Sequence, residues 1–172
     1  MAAVPGLKDP RRQEPAFVLD ERQMLEGWLD FHRVTLELKC EGLSDEQRKS
    51  RPVATSKLSL HGLVRHMAEV ERGWFRCVLL KDASAPAVFS EELDGDLEPL
   101  DGADWDADLA VWQDECQASR ELSAPLALDD VGEEDGEPCS LRWIYTHMIE
   151  EYARNNGHAD LIRELVGGSV GW

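Results

Sequence analysis

Residues 146–158 read THMIEEYARNNGH, and the reading of this stretch decides what kind of protein the chain makes. Ile144, Met148, Ile162 and Leu165 recur around it at helical spacing, so 141–168, LRWIYTHMIEEYARNNGHADLIRELVGG, is predicted as one helix. Ser140 is its expected N-cap, and Gly167 with Gly168 its expected stop. At about 100° per residue, Glu151 and Asn155 fall on the same face as those apolar residues, flanked by His147, Tyr152 and His158. Apolar residues at both ends turn the face inward. A carboxylate in its middle costs several kcal/mol unless it is paired or bound to a cation, so the face reads as the wall of a polar site.

Three more amphipathic helices are expected upstream. Residues 20–43, DERQMLEGWLDFHRVTLELKCEGL, carry Met24, Trp28, Phe31, Thr35 and Leu38 at three- and four-residue steps, with Asp20 as N-cap and Gly42 as stop. Residues 59–80, SLHGLVRHMAEVERGWFRCVLL, carry Leu60, Leu63, Met67, Val70, Trp74 and Val78. Residues 105–124, WDADLAVWQDECQASRELSA, carry Leu109, Trp112, Cys116 and Leu122. No strand pattern and no internal repeat stands out. The expected fold is all-α, a four-helix bundle with long crossover loops, in a single domain over 1–172 whose first 19 residues form a loosely attached tail.

The net charge of −17 is unevenly placed. Residues 82–104 hold eight acids and no base, and 129–137 hold six more; without these, 21 acids stand against 18 bases. Such loops read as solvated connections, and their charge counts against nucleic acid, whose binding depends on neutralising phosphates. No run approaches the roughly 20 apolar residues that span a bilayer, and the first residues lack the apolar segment of a signal peptide. The expectation is a cytoplasmic protein with no membrane partner. Cys40, Cys77, Cys116 and Cys139 lie 37, 39 and 23 residues apart, which fits neither a zinc ribbon nor a disulfide framework. Three fall in helices and read as small core hydrophobes; Cys139, beside an acidic loop, is expected to be the exposed one.

His66 lies three residues after Leu63 and four before Val70, on the inward stripe of its helix. A histidine from one helix and groups four apart on another is how bundles assemble metal sites, and His nitrogen with carboxylate oxygen suits Zn²⁺, Ni²⁺ or Fe²⁺. The candidate ligands are His66, His147 and Glu151. His158, about 10 Å along the axis from Glu151, reads as a catalytic residue facing the substrate or as support for the ligands. Glu150 is expected to be exposed, His32 and His61 to be ordinary core residues, and Trp74 and Trp143 to wall the pocket.

These residues resemble the DinB-like superfamily, and within it the branch once called the domain of unknown function 664, which includes mycothiol- and related thiol-dependent enzymes. The resemblance runs from LDERQMLEGWLDFHR through SLHGLVRHMAEVERGWF to LRWIYTHMIEEYARNNGHADLIREL. It implies a four-helix bundle, commonly dimeric, with a divalent metal held by a histidine at the position of His66 and by a carboxylate at that of Glu151. The remaining ligand of that branch is a histidine where this chain has Asn155, whose neutral amide oxygen is a poor zinc ligand unless His147, one turn earlier, substitutes.

Three functions compete. The first is a metal-dependent S-transferase or isomerase that activates a low-molecular-weight thiol cosubstrate for attack on a small electrophilic metabolite, with Glu151 or His147 managing protons. The second keeps the pocket without metal and uses His66, His147, Glu151, Asn155 and His158 for acid/base chemistry, Asn155 binding the substrate. The third is a non-catalytic small-ligand-binding or homodimeric stress-response protein with a relict site.

Overall fold

The computed structural model describes residues 9–90, 95–98 and 100–167. The described chain is all-α in class, as expected, with five α-helices and one short hairpin. In order these are α1 (Glu21–Cys40), α2 (Asp45–Lys49), α3 (Leu60–Arg72), a π-helix (Gly73–Leu79), α4 (Trp105–Ser123), β1 (Val131–Glu134), β2 (Glu137–Ser140) and α5 (Leu141–Leu165). Packing divides them into two compact units, Met1–Leu60 with Met148–Trp172, and His61–His147. The division falls inside α5.

In the first unit, Asp20 caps α1 by accepting from the Gln23 N–H at 3.0 Å, and Gly42 beyond the helix takes the positive φ of 72° that a helix stop requires. The buried face of α1 is Leu29, Arg33, Leu36 and Cys40 with Thr35 and Lys39. This corrects the expected stripe: Met24, Trp28, Phe31 and Leu38 are only half-buried. Polar groups tie this unit together. The Asn156 amide donates to the His32 carbonyl at 3.0 Å, Lys39 pairs with Asp160, and Arg163 donates to the carbonyls of Lys39 and Glu41 at the end of α1. Arg11 pairs with Glu37 and Glu41 at 2.9 and 2.7 Å, and Arg12 lies 4.4 Å over the Phe31 ring, so residues 11–12 rest on α1. Residues 1–8 of the expected tail lie outside the described residues.

In the second unit, three expectations are corrected. Residues 59–80 are not one α-helix, because α3 widens into seven residues of π-helix at Gly73. Glu71 and Phe75 are buried where Val70 and Trp74 were expected, and those two are half-buried, while Val78 is buried as expected. Strands also occur. β1 and β2 form an antiparallel hairpin in the register Val131↔Ser140 to Glu134↔Glu137, turning at Asp135–Gly136 with φ of 50° and 84°, the pair of positive values that a two-residue type I′ turn needs. Finally, Cys139 is buried because it sits on β2, and Cys77 is the thiol of intermediate exposure.

The hairpin meets the π-helix at close range. A Cβ placed on Gly132 would lie 2.6 Å from the Leu79 Cα and 2.7 Å from the Val78 carbonyl carbon, and closer still to the Val78 oxygen. Only a residue without a side chain fits there. Asp104 caps α4, whose buried face is Trp105, Trp112, Cys116, Ser119 and Ser123. The Trp143 N–H donates to the Ser140 hydroxyl at 3.2 Å, which is the expected cap of α5. Ile144, Met148 and Ile162 are buried as predicted, but Leu165 is 60% exposed, since the last turn of α5 has outrun the core. Gly167 has a positive φ of 84°; Gly168 lies outside the described residues.

Candidate active site

His66 is half-buried at the edge of the buried face of α3 and lines a cavity of about 340 Å³ within the second unit. The other walls come from Glu69, Arg72, Trp74, Cys77 and Asp96, together with Glu134 from the hairpin. Trp74 and Cys77 of that wall lie on the π-helix.

The His66 Nδ1 stands 2.7 Å from Asp96 Oδ2. Beside an anionic carboxylate that nitrogen carries the proton, which leaves Nε2 as a lone-pair donor. Asp96 is 8% exposed, and its backbone partner is the Leu97 N–H at 3.0 Å. Burial pushes its carboxyl pKa up, but the hydrogen bonds from His66 and the neighbouring amides help to pull it down further, so it titrates below the ordinary carboxylate range. Asp96 was expected to be one more solvated acid of the 82–104 loop, and the structure corrects this. Of the same loop, Glu91, Glu92 and Asp94 lie outside the described residues.

A second acid organises the loop. Glu69 Oε1 accepts from the N–H groups of Val88 and Phe89 at 2.7 and 2.6 Å, while Oε2 accepts from Arg72 at 2.8 Å. Arg72 also donates to the Ala85 carbonyl at 2.9 Å and to the Cys77 sulfur at 3.1 Å. These contacts fold the loop onto α3 and neutralise Glu69 and Arg72 against each other.

His147 is half-buried between two indoles: its ring stacks on Trp143 at 4.9 Å and 15°, and Trp74 meets it edge-on at 4.5 Å. On the same turn of α5, His147, Glu150 and Glu151 each offer one donor atom, all within 4.8 Å of one another. Glu150 is exposed, as expected, whereas the Glu151 side chain is 16% exposed and pairs with Arg154. Asn155, 6% exposed, donates its amide to the Glu151 carbonyl at 3.0 Å and to Oε2 at 3.3 Å, so it holds the carboxylate and does not present its oxygen to it. His158 is half-buried, and its Nδ1 is enclosed with no hydrogen-bond partner among the described residues. Trp74 lines the cavity; Trp143 stands beside it through Trp74, at 5.2 Å, and is 50% exposed.

A model of the family described as mycothiol-S-transferase matches residues 24–168. The chain belongs to this family. The family is of the DinB-like group, as the resemblance implies. No curated protein and no solved structure matches the chain.

The donor chemistry of these residues fits a divalent cation. A histidine whose second nitrogen is held by a carboxylate is the usual form of a metal-binding imidazole, and His66 with Asp96 has that form. Separately, His147, Glu150 and Glu151 on one turn of α5 offer nitrogen and oxygen donors of the right kind. Sequence reasoning missed Asp96, Arg72 and Cys77. Asp96 was hidden among eight acids of one loop, and Cys77 is turned toward the cavity by a π-helix that periodicity does not announce. The Asp135–Gly136 pair was the one local signal of the hairpin, and its acidic flanks concealed it.

Proposed function

We propose that the protein is a mycothiol-dependent S-transferase, of the branch once called the domain of unknown function 664, acting on a small electrophile. The match to the mycothiol-S-transferase family over 24–168 carries this reading. The cavity supports it, because its volume of about 340 Å³ lies at the lower end of the range for small-molecule sites. In the reaction the thiol sulfur attacks an electrophilic carbon, the S–C bond forming as the carbon–leaving-group bond breaks. The thiol proton goes to a base, the role given to Glu151 or His147, with His158 in support. Asn155 orients Glu151 through the hydrogen bond between them. A divalent ion with His66, His147 and Glu151 as its protein donors would supply Lewis acidity that lowers the thiol pKa. Asp96 keeps the His66 ring in one tautomer and orientation.

Purified protein incubated with mycothiol and iodoacetamide, with the thioether quantified by mass spectrometry, tests the activity. Transfer well above the uncatalysed rate supports the reading, and a rate equal to that without protein overturns it. Elemental analysis with and without chelation tests the metal: about one ion per chain, lost in His66→Ala together with activity, is expected. Full activity in metal-free protein would instead favour the acid/base reading, which the amide of Asn155 turned toward Glu151 specifically supports.

A further inference from the structure

We infer that Trp74 and Trp143, braced by His147, form a subsite for the flat, uncharged part of the electrophilic substrate, so that the preferred electrophile is a neutral aromatic one and not an anion. The inference rests on the S-transferase reading for the word electrophile, but not for the binding itself.

Trp143 is 50% exposed although Ile144 and Tyr145, which follow it, are buried. A large indole left in water gains nothing from the hydrophobic effect until something covers it. It is nevertheless held in place: it stacks on His147 at 4.9 Å with an interplanar angle of 15° and lies 5.2 Å from Trp74. Trp74 in turn is part of the wall of the cavity that contains His66. The exposed indole surface is therefore continuous with that wall.

The charges of the cavity select the kind of ligand. Glu69 is satisfied by the Val88 and Phe89 amides and by Arg72, and Arg72 by Glu69 and the Ala85 carbonyl. Asp96 is paired with His66. The guanidinium is thus already neutralised, and Glu134 at the rim adds negative charge. Even beside an ion held by His66, the described wall offers an anion no unpaired side-chain cation and the added charge of Glu134, whereas an aryl ring would meet indole faces, where stacking and area burial both stabilise it.

Two measurements test this. The first uses 1,3-dinitrobenzene, an unreactive nitroaromatic that quenches indole fluorescence on contact, titrated into the protein without thiol. Saturable quenching is expected, retained in Trp143→Phe and weakened about tenfold in Trp143→Ala. The second compares kcat/KM with mycothiol for 1-chloro-2,4-dinitrobenzene, iodoacetamide and iodoacetate. Trp143→Ala should lower kcat/KM for the aryl substrate about tenfold more than for iodoacetamide, with iodoacetate the poorest of the three. Equal losses for aryl and aliphatic substrates, unchanged quenching in Trp143→Ala, or a preference for iodoacetate would each overturn the inference. Saturable quenching with no thiol transfer to any electrophile leaves the subsite standing and removes the S-transferase reading.

Discussion

Replacing Gly132 by alanine should unseat the hairpin that completes the cavity. The added Cβ would sit 2.6 Å from the Leu79 Cα and 2.7 Å from the Val78 carbonyl carbon, against an optimal carbon–carbon separation of about 3.5–4.0 Å. These neighbours are backbone atoms of the π-helix, which cannot swing aside as a flexible side chain can, so the strand must retreat by about 1 Å. Overpacking of this kind costs about 1–3 kcal/mol. For a chain of this size each kcal/mol lowers Tm by about 2–4 °C, which puts the expected loss at about 2–12 °C. Glu134 lies two residues along the same strand and lines the cavity, so KM should rise as well. Calorimetry on Gly132→Ala beside Val131→Ala, a neighbour that is 54% exposed, separates the contact from a general weakness of the hairpin. A Gly132→Ala protein melting within about 1 °C of the parent would show that the hairpin does not press on the π-helix.

Other substitutions probe the pairs on which the two units depend. Asp96→Asn should lower stability by about 1–2 kcal/mol at pH 7, because a charged partner of His66 is lost. Since the folded pKa of Asp96 lies below its unfolded value, that contribution is complete above the ordinary carboxylate range and disappears as pH falls through the folded pKa; urea unfolding of both proteins from pH 7 down to pH 3 should find the difference shrinking, and a constant difference refutes the assignment. Asp160→Ala should destabilise by about 1–3 kcal/mol, because Lys39 is 3% exposed and would keep its charge without its partner, with Asp160 itself partly solvated; the further change Lys39→Met should recover part of the loss in a double-mutant cycle. Burial pushes the Cys40 thiol up to about 12, and Cys116 and Cys139 are buried too, so iodoacetamide at pH 8 should alkylate one thiol per native chain, a signal absent from Cys77→Ser. Two or more fast-reacting thiols would contradict the burial described.

The sequence by itself determined the helices, because helix formation answers to patterns within a few residues. Asp20 and Ser140 cap where their positions before apolar stripes say they should, and Ile144, Met148 and Ile162 turn the face of α5 that carries Glu151 and Asn155 inward. The motifs of residues 19–33, 59–75 and 141–165 together also named the DinB-like group. What tertiary structure decided are choices between partners far apart in the chain. The acid of the 82–104 loop that meets His66 lies 30 positions along the chain from it, and nothing local distinguishes Asp96 from its neighbours. Cys77 joins Trp74, which was expected there, on the cavity wall from a π-helix that an apolar count does not reveal. The hairpin buries Cys139 in a segment whose acidity reads as solvated loop, since burial of a strand depends on the surface it is pressed against, here the backbone of residues 78–79 meeting Gly132.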